Sequence, residues 1–110
     1  MGSCASNTGL TNISNFTQLA NNIALTTTTT DKTISSIAGK HNVLLLGKVN
    51  TTIRGSLLIP YSVLASAVDC YIPVIGGTVT GTVYVKYVSD TSIKVKASDA
   101  TFNYLDIYVN

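Results

Sequence analysis

The chain has 110 residues, 45% of them hydrophobic and only 11% charged, with a formal net charge of +2. One domain of this length buries roughly 60–70% of its unfolded surface. Its six Lys and one Arg are scattered, which leaves out the basic stripe of a nucleic-acid binder, and no apolar segment reaches the length of a membrane-spanning helix. Glu is absent while Thr, Val, Ile and Tyr abound, a bias toward strands. So sparsely charged a surface is poorly soluble when bare, so the composition points to a domain covered within an assembly.

Residues 1–35 are rich in Ser, Thr, Asn and Ala and contain the run Thr26 to Thr30. They read as an extended polar N-terminal arm, an attachment segment preceding a β domain over residues 36–110. Phe16, Leu19, Ile23 and Leu25 form a short apolar stripe that predicts one or two helical turns over residues 17–24. The opening Met1-Gly2-Ser3-Cys4-Ala5-Ser6 fits a short N-myristoylation pattern that also recurs by chance. Cys4 and Cys70 match no metal or redox spacing and read as free thiols, Cys70 as a small buried hydrophobe.

Strands are predicted over residues 33–37, 43–49, 52–59, 71–75, 79–88, 92–97 and 102–109, with a short helix or bridging segment at 61–67. Gly39 to Asn42 and Gly76-Gly77 are turn-like, and Pro60 and Pro73 mark edges or strand ends. Many short strands with frequent turns predict an all-β fold, an antiparallel β-sandwich or small barrel of jelly-roll-like form. From Thr78 onward the alternation is nearly unbroken. Val83, Val85 and Tyr87 share one parity with Ile93, Val95 and Ala97 once a three-residue loop at 89–91 is assumed. That register places Tyr87 opposite Ile93, Lys86 opposite Lys94 and Tyr84 opposite Lys96.

Chemistry-bearing residues are few. His41 stands in a turn-like stretch with no orienting partner nearby, and the five Asp are scattered, three at probable turns. No phosphate-cradling loop, zinc set or paired carboxylates occur, so the expectation is a protein that is not an enzyme and uses no cofactor. One constellation stands out on the polar face of the C-terminal strands: Tyr84, Lys86, Lys94, Lys96, Tyr104, Asp106 and Tyr108. Tyr rings mixed with Lys and Asp suit a sugar or an anionic polymer, and equally a solvated sheet face or a subunit interface. Lys86 facing Lys94 calls for a compensating carboxylate, and Asp106 supplies it if the last strand lies alongside.

Ser56-Leu57-Leu58-Ile59-Pro60-Tyr61, Tyr71-Ile72-Pro73-Val74, Gly81-Thr82-Val83-Tyr84-Val85 and Ile93-Lys94-Val95 together resemble the distal β domains of bacteriophage tail-fibre and baseplate receptor-binding proteins. The resemblance covers roughly residues 43–109. It implies a homotrimeric, non-enzymatic virion protein that joins other virion proteins through residues 1–35 and presents its β domain to a host surface saccharide. A capsid decoration or head-fibre protein anchored by the same arm is the alternative expectation.

Overall fold

The computed structural model describes residues 15–110. Eight strands and one helical turn follow in order: β1 (Thr17–Ala24), β2 (Thr30–Thr33), β3 (Asn42–Val49), β4 (Thr52–Pro60), α1 (Tyr61–Leu64), β5 (Cys70–Gly76), β6 (Val79–Ser89), β7 (Ser92–Ala97) and β8 (Tyr104–Val109). They make two four-stranded antiparallel sheets, ordered β1-β8-β3-β4 and β2-β7-β6-β5. β1 pairs with β8 and β2 with β7, and the chain changes sheet between β1 and β2, β2 and β3, β4 and β5, and β7 and β8. This nesting is what makes the sandwich jelly-roll-like.

The core follows from the period of two. Val83, Val85, Ile93, Val95 and Ala97 from the second sheet meet Val43, Leu45, Leu105, Ile107 and Val109 from the first. At about 25 cal/mol per Å² of apolar surface removed from water, this shared layer is the main stabilising term. Leu64 of α1 plugs one end of it, and Phe102, fully buried, fills the other. Cys70 packs into the same core as a free thiol, and burial pushes that thiol up from its ordinary value.

β3 departs from alternation. It is central in its sheet and buried on both faces, so Leu44, Leu46 and Lys48 are covered as well as Val43 and Leu45. An unbroken Val-Leu-Leu-Leu run is the sequence expected of such a strand. Glycine serves the joining of the two sheets at one point. A Cβ on Gly55 of β4 would collide with the Pro73 carbonyl of β5, so these two edge strands abut only because residue 55 lacks a side chain.

Several expectations are corrected. Residues 17–24 form a strand, not a helix. β1 pairs with β8 as Gln18↔Tyr108, Ala20↔Ile107 and Ile23↔Leu105, with irregularities at both intervals. These bulges insert extra residues, so the i, i+4 spacing of Leu19 and Ile23 arises from a bulged strand and mimics a helical stripe. Within the stretch expected to be an arm, residues 1–35, Thr17–Ala24 and Thr30–Thr33 are strands that enter the two sheets through β8 and β7, and residues 1–14 lie outside the described residues. The lipidation pattern and Cys4 lie outside the described residues. The strand expected at 33–37 is displaced to Thr30–Thr33, and Ile34 and Ile37 enter the core from an irregular segment. Phe102 precedes β8 rather than belonging to it. The β6–β7 register holds at every predicted pair, but Ser89 pairs with Ser92, leaving the two-residue turn Asp90-Thr91. A bulge at exposed Val88 supplies the odd residue that the longer loop was to provide.

Asp90 ties that turn to α1. Its Oδ1 accepts hydrogen bonds from the Tyr61 hydroxyl at 2.6 Å and the Tyr87 hydroxyl at 2.8 Å, and the two rings meet edge-to-face at 6.5 Å. The bonds from Tyr61 and Tyr87 hold the Asp90 carboxyl below its ordinary value. A depressed folded-state value adds stability that is present above the unfolded value of about 3.9 and lost as pH falls through the folded one. Asp90→Asn should therefore lower the melting temperature at pH 7, and the gap from the unsubstituted chain should close in melts below about pH 3. A gap of equal size at both pH values would count against the carboxylate being the acceptor.

Candidate functional site

A groove of about 520 Å³ opens on the outer face of the second sheet, lined by Thr27, Thr29, Tyr71, Thr82, Tyr84, Lys96 and Ser98. Each wall follows from the strand pattern. Ile72 and Val74 point inward from β5, which turns Tyr71 outward, and Val83 and Val85 do the same for Thr82 and Tyr84 on β6. The two-residue turn at Gly77-Thr78 sets Tyr71 directly opposite Tyr84, and the β6–β7 register sets Tyr84 opposite Lys96. The β1–β2 crossing supplies the last wall. Thr26 donates its hydroxyl to the Thr28 carbonyl at 3.0 Å, and its own carbonyl accepts from the Ala97 amide at 2.8 Å, which pins the threonine run over the end of β7.

The rings are pre-positioned. Tyr84 donates its hydroxyl to Asp69 Oδ1 at 2.8 Å, and this bond pushes the phenol up to about 12. The hydroxyl is thus held protonated and committed, leaving the ring as the surface on offer. Tyr71 is 56% exposed, with its ring 5.3 Å from that of Tyr84 at 46°. On the far side, Ser98 Oγ accepts from the Thr82 amide at 2.9 Å, which fixes the groove floor.

Charge is uneven across this face. Lys94 meets Asp31 at 2.8 Å, and Lys86 lies 3.8 Å from Asp69. So the facing lysines are compensated, but by Asp31 and Asp69 rather than by Asp106. Among the described residues no carboxylate pairs with Lys96, the one cation lining the groove.

The constellation expected from sequence therefore splits. Tyr84 and Lys96 line the groove, and Lys86 and Lys94 share its sheet but sit in ion pairs. Tyr104, Asp106 and Tyr108 belong to β8 in the other sheet, on the opposite side of the sandwich. The reason is the crossing at residues 98–103, which carries the chain from one sheet to the other where a continuous meander was assumed. Asp106 is 5% exposed and pairs with Lys48, also 5% exposed, at 3.0 Å. Tyr108 accepts a hydrogen bond from Gln18 at 3.2 Å. The groove residues missed were Tyr71, Thr82, Ser98, Thr27 and Thr29; the alternation of β5 and the Gly77-Thr78 turn were sufficient to place Tyr71.

His41 is exposed in its turn, its backbone amide bonded to the Asn110 carbonyl at 2.7 Å. Among the described residues no three His, Cys, Asp or Glu side chains gather as a metal site, and no helix is long and apolar enough to cross a membrane. Comparison with protein-family models, with curated proteins and with solved structures finds no match to this chain.

Proposed function

We propose that this chain is a non-enzymatic binding domain that takes an acidic saccharide into the Tyr71–Tyr84 groove. We further propose that it does so as a homotrimeric receptor-binding component of a bacteriophage virion. The observation that carries the reading is the pair of fixed tyrosine rings beside an unpaired Lys96 in a groove otherwise lined by hydroxyls. A tyrosine face covers the apolar C–H side of a sugar ring, while threonine and serine hydroxyls exchange hydrogen bonds with its hydroxyls. Lys96 selects a carboxylated or sulfated residue over a neutral one. Few contacts of this kind give about millimolar affinity, roughly 4 kcal/mol, so adhesion depends on many copies presented together.

Titration calorimetry of an acidic oligosaccharide tests the reading. Tyr71→Ala should weaken binding about tenfold, the equivalent of about 1.4 kcal/mol. Lys96→Gln should weaken it about two- to fivefold, as expected of an exposed charge pair, and leave a neutral oligosaccharide unaffected. Equal affinity of the unsubstituted chain for acidic and neutral sugars would remove the role given to Lys96.

A purely structural role as a capsid decoration or head-fibre protein is the second reading. Ile53 and Ile75, on the adjoining edge strands β4 and β5, are both more than half exposed, and a neighbouring subunit would cover them.

A further inference from the structure

On the outer face of the opposite sheet lies a cluster that the groove does not use. Lys48 of β3 reaches across β8 toward β1, and its Nζ lies 3.0 Å from Asp106 Oδ2 and 2.7 Å from the side-chain oxygen of Asn22. Asn22 sits in the second bulge of β1 with φ of 55°, a left-handed conformation that asparagine tolerates. Its backbone amide donates to Asp106 Oδ1 at 2.8 Å. That bond occupies one carboxylate oxygen and leaves the other facing the amine. Lys48 and Asp106 are both buried.

We propose that Lys48 and Asn22 are joined by an amide bond between their side chains, formed within the folded chain with Asp106 as the catalytic proton carrier. An amine, a carboxamide and a buried carboxylate in mutual contact are the complete set of reactants. The proton moves from the Lys48 ammonium to Asp106 Oδ2, which replaces a buried ion pair by two neutral groups. The freed Nζ lone pair attacks Cγ of Asn22, one bond beyond the oxygen it already touches. Asp106 then passes that proton to Nδ2, the C–N bond breaks and ammonia leaves, while Nζ gives its second proton to the regenerated Asp106 carboxylate and keeps one hydrogen as the new amide N–H. One C–N bond forms, one breaks, and no oxidant or activating co-reactant is needed. Fixing the three groups on adjacent strands supplies the proximity that makes such a slow step accessible. The product clamps bulged edge strand β1 to central strand β3 over the intervening β8. This inference stands apart from the saccharide groove, which lies on the other sheet.

Mass spectrometry of the full chain tests it. The expected result is a mass lower by one ammonia and a tryptic species that joins residues 1–32 to residues 41–54, because a modified Lys48 is no longer cleaved. Asp106→Asn, which keeps both reacting side chains, should restore the full mass and separate peptides 1–32 and 41–48. Lys48→Arg should do the same. A full-mass unsubstituted chain, after purification and prolonged incubation of folded protein, would overturn the proposal. Loss of one water with the link at Asp106 would overturn the assignment of Asn22. Retention of the cross-link in Asp106→Asn would overturn the role of the carboxylate.

Discussion

Relative to the chain in which Lys48 and Asn22 are not linked, replacing Lys48 by Met should lower the unfolding free energy by about 3–5 kcal/mol, the cost of leaving one member of a buried ion pair without its partner. The Asp106 carboxylate would keep only the Asn22 backbone amide as a donor among the contacts described, and an incompletely satisfied buried charge is costly. The loss should spread to β1, because Asn22 and Lys48 together hold that bulged edge strand to the sheet. Removing both charges in K48M/D106L should cost less than Lys48→Met alone, since the orphaned carboxylate disappears with its partner. Urea denaturation of the three proteins measures both effects. A Lys48→Met penalty below about 1 kcal/mol would place the pair in the class of solvated surface bridges instead.

Phe102→Ala should cost about 3–5 kcal/mol by the same measurement, through lost transfer energy and the cavity left behind. The ring is fully buried where the β7–β8 crossing folds under the β5–β6 hairpin. It lies so close to Gly76 and Gly81 that a Cβ at either would come within 3.2 Å and 2.9 Å of it. Backbone on that side cannot collapse far into the vacated space, which puts the cost toward the upper part of the range. Phe102→Leu, filling most of the volume, should cost clearly less. Near-equal penalties for the two would mean that the ring's shape is immaterial there.

Most of the sandwich was legible because its strands obey simple rules. In β6 and β7 one parity is apolar, so a single assumption about the turn fixed every cross-strand pair, and the bulge at Val88 compensated for the misjudged loop. The failures share a cause as well. β1 has polar residues on both sides and two irregularities in its pairing, so its spacing resembled a helix. β8 alternates as cleanly as β7, and alternation carries no information about which sheet a strand joins. That is why Tyr104, Asp106 and Tyr108 were grouped with Tyr84 and the lysines. Sheet membership is decided instead by the crossing at residues 98–103, where Phe102 dives into the core. Less than half of the groove was legible. Tyr84 and Lys96 follow from the register, whereas Thr27 and Thr29 reach the site only because the threonine run is folded over the end of β7.

The proposed acidic saccharide would occupy the second sheet and the proposed clamp the first, and saccharide binding is the central claim. Two-dimensional amide spectra of the folded chain, titrated with an acidic oligosaccharide to millimolar concentration, separate the two faces directly. The predicted result is saturable shifts at Tyr71, Thr82, Tyr84, Lys96 and Ser98, with Tyr104 to Tyr108 unmoved. Shifts centred on β8, or none along β5 to β7 at saturation, would contradict it.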